Sequence, residues 1–150
     1  KQFTDVPFSG EVTGKQQGSF KNGKKEGIWV QYHKNGQLKE KVNFKNGKME
    51  GAAVGYHKNG KLSGKGSLRN GKQEGAWIFY HDNGQVKRKG NFKNDKSEGV
   101  WVYYRRNGQL SYKGNWKNGK QDGASVNYNE DGTVDKASTG TFKDGVKISD

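Results

Sequence analysis

A chain of 150 residues with 28% hydrophobic residues and a formal net charge of +13 has the bulk composition of a disordered polycation. The absence of cysteine excludes a disulfide framework, a thiolate metal site and a thiol nucleophile. No apolar run is long enough to span a bilayer as a helix, and the length is that of one domain.

In chain order, residues 1–18 form an irregular lead-in that holds the one proline, Pro7. Phe3, Val6, Phe8 and Val12 can supply a capping strand or two there, since terminal repeats are atypical. The start at Lys1 suggests a processed or trimmed chain. A small, basic, cysteine-free domain fits an exported or periplasmic bacterial protein, with the cytoplasm as the alternative. From Ser19 the sequence becomes periodic. SFKNGKKEG, NFKNGKMEG, SLRNGKQEG, NFKNDKSEG and NWKNGKQDG follow one another at a spacing of 24 residues, each closing on an acid–glycine pair. A fixed period in this range marks stacked small units, and apolar residues in phase from copy to copy outweigh the disorder-like composition. The repeats occupy 19–132. The remaining 133–150 read as a looser capping repeat, with two extra residues between Thr133 and Phe142.

Each unit reads strand, turn, strand, turn. First strands are expected at 28–32, 52–56, 76–80, 100–104 and 124–128, and second strands at 38–44, 62–68, 86–92 and 110–116. Asn-Gly pairs at 35–36, 46–47, 59–60, 70–71, 83–84, 107–108 and 118–119 are strong hairpin signals between β-rich runs. Asn94 with Asp95 replaces one of them, so Asp95 must take a left-handed conformation at some cost. No stretch has the apolar spacing of an amphipathic helix.

Three-residue loops at both ends of every hairpin, such as 34–36 and 45–47, keep even residues opposite even ones. They pair Tyr32 with Leu38, Ile28 with Val42, and Trp29 with Lys41. The even face is then uniformly apolar. The odd face carries Trp29, Trp77, Phe79, Trp101 and Tyr103 together with Lys41, Lys89 and Lys113. Gly66, Gly90 and Gly114 replace Val42 in later units, leaving bare backbone for a neighbouring ring.

Tyr112, Gly114, Trp116, Gly119 and Gly123 resemble the MORN repeat, whose pattern runs Tyr-x-Gly-x-(Trp/Phe)-x-x-Gly-x-x-x-Gly. Other units keep the later part, as in Gly90, Phe92 and Gly99, but replace the tyrosine by Glu40, Gly64 or Arg88. The 24-residue period is similar to that of bacterial MORN-variant proteins, often labelled antitoxin-like, and the resemblance covers roughly 19–145. It implies an all-β fold: an elongated single antiparallel β-meander with one hairpin per repeat, in agreement with the strand pattern. Eleven or twelve strands would make a sheet roughly 50–57 Å across, strongly twisted or curled to cover its apolar face.

His33, His57 and His81 recur in phase, but equivalent residues two strands apart are separated by roughly 9.6 Å. Ligands of one zinc lie within about 2.0–2.2 Å of the ion, so the column is not expected to hold a metal. The acid column Glu26, Glu50, Glu74, Glu98 and Asp122 sits in identical environments, whereas acid–base catalysis needs two carboxyls tuned apart. These acids are expected to pair with nearby lysines or to accept from turn backbone. The expectation is a non-enzymatic binding or scaffold module with no catalytic residue, metal or cofactor. It engages a protein or anionic partner through Trp29, Lys41, Trp77, Phe79, Lys89, Trp101, Tyr103 and Lys113. A homodimer formed through the apolar face, or an electrostatic binder of acidic phospholipid or another polyanion, is the alternative. Nucleic acid is less favoured, because a charge every ~9.6 Å does not match nucleotide spacing.

Overall fold

The computed structural model describes residues 9–12 and 14–150, and Phe3, Val6, Pro7 and Phe8 lie outside them. Among the described residues there are thirteen strands in one antiparallel sheet, in sequence order from edge to edge. They are β1 (Gly10–Val12), β2 (Gln16–Lys21), β3 (Lys24–Tyr32), β4 (Leu38–Lys45), β5 (Lys48–Tyr56), β6 (Leu62–Arg69) and β7 (Lys72–Tyr80). The meander continues through β8 (Val86–Lys93), β9 (Lys96–Tyr104), β10 (Leu110–Lys117), β11 (Lys120–Asn127), β12 (Gly140–Lys143) and β13 (Val146–Ser149). The all-β meander expected from the repeat is the observed architecture.

First strands start four residues earlier than expected. The acid–glycine pair does not precede the strand but lies inside it, with Gly27 at φ 71° and Gly51 at φ 84°. A left-handed glycine inserts a bulge without ending the ladder. Phe44 faces Met49 while Val42 faces Ala53, so three β5 residues span one β4 residue.

The two ends of the hairpins differ, which corrects the expectation of uniform three-residue loops. At one end His33 N–H donates to Gln37 O at 2.7 Å and Gly36 N–H to His33 O at 3.0 Å. The loop there is Lys34, Asn35 and Gly36, and Tyr32 faces Leu38 as expected. At the other end Lys45 faces Lys48 directly. Asn46 and Gly47 both have positive φ, 50° and 79°, the signature of a two-residue type I′ turn. Asp95 does adopt the left-handed region, at φ 66°.

A second feature reverses the expected faces. Between Tyr32–Leu38 and Gln31–Glu40 the register slips by one, leaving Lys39 as an extra residue. Ser63, Lys87 and Ser111 take the same place in the following hairpins. After the slip Trp29 faces Val42 rather than Lys41, and Val30 faces Lys41. A one-residue slip moves every side chain beyond it to the other face. Odd residues of first strands therefore share a face with even residues of second strands, and no face is made of even positions alone.

The result is a ring face and a lysine face. On the ring face Trp29, Trp77 and Trp101 are 5%, 8% and 0% exposed, which a flat single sheet could not achieve. Phe92 meets Trp101 edge-on at 4.8 Å between centroids, Trp101 leans on Tyr103 at 6.1 Å, and Tyr103 meets Tyr112 at 5.3 Å. Each such ring pair adds about 0.5–1.5 kcal/mol beyond the area it buries. These three indoles also donate across the sheet: Trp29 to Ser19 O, Trp77 to Ser67 O and Trp101 to Asn91 O, at 3.0–3.1 Å. A Cβ built on Gly18, Gly66 or Gly90 would fall inside the indole of Trp29, Trp77 or Trp101 respectively. The bare backbone expected at Gly66 and Gly90 is thus occupied by rings. At Gly114 the space is taken instead by the Tyr112 hydroxyl and Ser125 Oγ.

Candidate binding face

The repeated polar residues are used first to lock units together. The Glu26 carboxylate accepts from Asn46 N–H at 2.8 Å, Glu50 from Asn70 at 2.9 Å, and Glu74 and Glu98 from Asn94 and Asn118 at 3.0 Å. Each acid caps the turn of the next unit. In the fifth unit Asp122 takes a hydrogen bond from Lys143 at 2.9 Å, which holds its carboxyl below the usual range. Along the opposite rim the rings of His33, His57 and His81 donate through Nε2 to Tyr56, Tyr80 and Tyr104 carbonyls at 2.9–3.0 Å. Asn35, Asn59 and Asn83 donate to the carbonyls of Lys58, Asp82 and Arg106 at 2.7–2.8 Å. These columns act as inter-repeat clamps. Replacing Glu74 by alanine is expected to cost about 1 kcal/mol, the worth of one such hydrogen bond, read as a lower urea midpoint at unchanged slope.

The acids are thus directed at turn backbone, and among the described residues the lysines of the opposite face form no ion pair with them. One row crosses the sheet as Val30, Lys41, Val54, Lys65, Ile78, Lys89, Val102, Lys113 and Val126, each facing the next. The four lysines are exposed and the β-branched residues between them half-buried. Charges recur every second strand, roughly 9.6 Å apart. Lys89 Nζ lies 5.8 Å from the Tyr104 ring, so the aromatic neighbour on this face is a tyrosine. The type I′ turns add directly opposed cations at Lys45 and Lys48, Arg69 and Lys72, Lys93 and Lys96, and Lys117 and Lys120. Like charges facing across a ladder are destabilising.

The eight residues singled out from the sequence therefore do not form one site. Lys41, Lys89 and Lys113 stand on the lysine face. Trp29, Trp77, Phe79, Trp101 and Tyr103 are on the ring face, where the cations are Lys25 and Arg88 instead. Lys25 Nζ lies 4.1 Å from the Trp29 ring, and the Arg88 guanidinium lies 4.4 Å from Phe79 and 5.5 Å from Trp101. Lys65 belongs to the row but was missed, because its unit has Ala53 where the others have tryptophan.

A family model described as the MORN repeat variant matches residues 25–46, 49–70, 73–94 and 97–118, in phase with the four hairpins joined by three-residue loops. The chain belongs to the MORN-repeat variant family. No curated protein matches it. MORN repeats are in general binding scaffolds for proteins or membranes and not enzymes. In this chain each matched unit begins just before its turn-capping acid and ends at the asparagine which that same acid caps, so the MORN unit and the cap share one period.

Proposed function

We propose that the protein is a non-enzymatic MORN scaffold that holds an acidic protein surface against its lysine face. The observation that carries this reading is the cross-strand row Lys41, Lys65, Lys89 and Lys113, exposed and set in a strip of β-branched residues. Such a row meets an extended or flat partner with carboxylates at matching intervals. Apolar atoms between the charges supply the desolvated contact that charge alone does not. Steering by the +13 field raises the encounter rate and fades with salt. Among the described residues none of the four row lysines forms an ion pair.

The test uses poly-L-glutamate as probe with the intact chain. Replacing all four row lysines by glutamine is expected to weaken binding roughly tenfold or more at low salt, and raising the salt should weaken the parent protein in the same direction. A four-residue control at the turns, Lys45, Lys48, Lys93 and Lys96 to glutamine, removes the same charge and should weaken binding less. Equal loss from both variants would place binding on the total charge rather than the row. Vesicles of acidic phospholipid and single-stranded nucleic acid are run in parallel. A row-dependent preference for either over the acidic polypeptide overturns the assignment of partner class.

A further inference from the structure

The ring face is interrupted in the second unit. Along one row of this face lie Gln31, Glu40, Gly55, Gly64, Phe79, Arg88, Tyr103 and Tyr112, each facing the next. Two facing glycines lie between the Glu40 carboxylate and the Phe79 ring, across three strand steps or roughly 14 Å, with Ser63 Oγ over Gly55 and the edge of the Phe79 ring over Gly64. The indole of the neighbouring row is also missing, since Ala53 stands where Trp29, Trp77 and Trp101 stand elsewhere. Val42 refills part of that space, in place of the glycine that lies under each indole. What remains is a cleft of about 230 Å3, walled by Trp77, Phe79, Leu68, Met49 and Val42, with Glu40 as its one charged lining group.

The following unit shows what such a position holds when it is filled. Arg88 occupies there the place of Gly64, and its guanidinium lies 4.4, 5.5 and 6.0 Å from the rings of Phe79, Trp101 and Tyr103. The last two are the counterparts of Trp77 and Phe79 in the cleft. Trp77 and Phe79 stack at 5.6 Å and 18°, presenting a flat wall. Glu40 has no hydrogen-bond or ion-pair partner among the described residues and is half-buried.

We propose that this cleft is a recognition site for an arginine side chain of a partner polypeptide, the guanidinium lying between the Trp77–Phe79 wall and the Glu40 carboxylate. A guanidinium suits it better than an ammonium, being planar, weakly hydrated and able to stack on a ring while forking onto a carboxylate. Arg88 lies against Phe79 already, and its charge opposes a second cation at that ring. Glu40 is the group that makes the site cation-selective. The site is independent of the lysine face, which takes the opposite charge.

The probe is Nα-acetyl-arginine methylamide, titrated into the 15N-labelled intact protein at low salt. Expected are saturable shifts of the Gly55 and Gly64 amides and the Trp77 indole N–H, with a dissociation constant on the order of 1 mM. The Trp101 indole should stay unmoved. The neutral citrulline analogue should give no saturable shift, and Glu40→Gln should weaken the arginine probe roughly tenfold. Gly64→Arg should abolish binding by filling the cleft from within, with unmoved Trp101 resonances reporting that the fold is kept. Equal binding of the citrulline probe, equal binding by Glu40→Gln, or no saturation with the parent protein each overturns the proposal.

Discussion

Truncating Trp101 to alanine is expected to cost about 3–5 kcal/mol of stability, among the largest losses available to a single substitution in this chain. Its ring is fully buried, meets Phe92 at 4.8 Å, lies across Gly90 and carries a hydrogen bond to Asn91 O. Truncation removes the buried area, two ring contacts and the indole donor, and leaves Asn91 O without that partner. The neighbours cannot collapse into the space, because Gly90 has no side chain to move. Arg88 also loses one of its three rings, at 5.5 Å. Urea unfolding followed by circular dichroism should show a lower midpoint. Because a repeat array is stabilised by nearest-neighbour interfaces, the transition should broaden as the units on either side uncouple. A loss under about 1 kcal/mol would mean that the ring ladder is not the core.

Much of this fold was legible because the repeat period, the Asn-Gly turns and the β-rich runs all agree. The 24-residue spacing places β3 to β11 apart from the first four residues of each first strand, and the three-residue loop at Lys34, Asn35 and Gly36 follows from the pairing of Tyr32 with Leu38. Facing was not legible, for a physical reason. The slip that reverses it falls on Lys39, Ser63, Lys87 and Ser111, polar residues ordinary at any exposed strand position. A bulge with its extra residue in an ordinary right-handed conformation asks nothing of the side chain and leaves no mark in the sequence. The Asn-Gly dipeptide is equally silent, since it serves both the type I′ turns and the three-residue loops here.

One signal could have recovered the faces. Residues eleven apart are complementary in size: Gly18 with Trp29, Val42 with Ala53, Gly66 with Trp77, Gly90 with Trp101. At Val42 and Ala53 both members of the pair change together, whereas Gly114 is kept opposite Ser125 and the Tyr112 hydroxyl fills the space. Only residues on the same face can trade volume in this way, so the pattern places tryptophan with Val42 and away from Lys41. The lysine row was within reach by the same step, Lys65 included, because it is the set left facing the other way.

That trade in volume predicts a double-mutant cycle. Gly90→Val alone drives a side chain into the Trp101 indole and should cost several kcal/mol, at or beyond the usual 1–3 kcal/mol for overpacking. Trp101→Ala alone should cost about 3–5 kcal/mol. Combined, the two changes rebuild at Gly90 and Trp101 the pair that Val42 and Ala53 already form, where Val42 and Ala53 are 8% and 6% exposed. The double variant should therefore be more stable than the sum of the single losses by at least about 2 kcal/mol, within the range for residues in direct contact. Additivity to within about 0.5 kcal/mol would show that valine does not enter the space the indole leaves. A large coupling would give the second unit's anomaly its energetic explanation. Valine against alanine would then be a packing that the ring face accepts in place of glycine under tryptophan, and it is the one with an open cleft beside it.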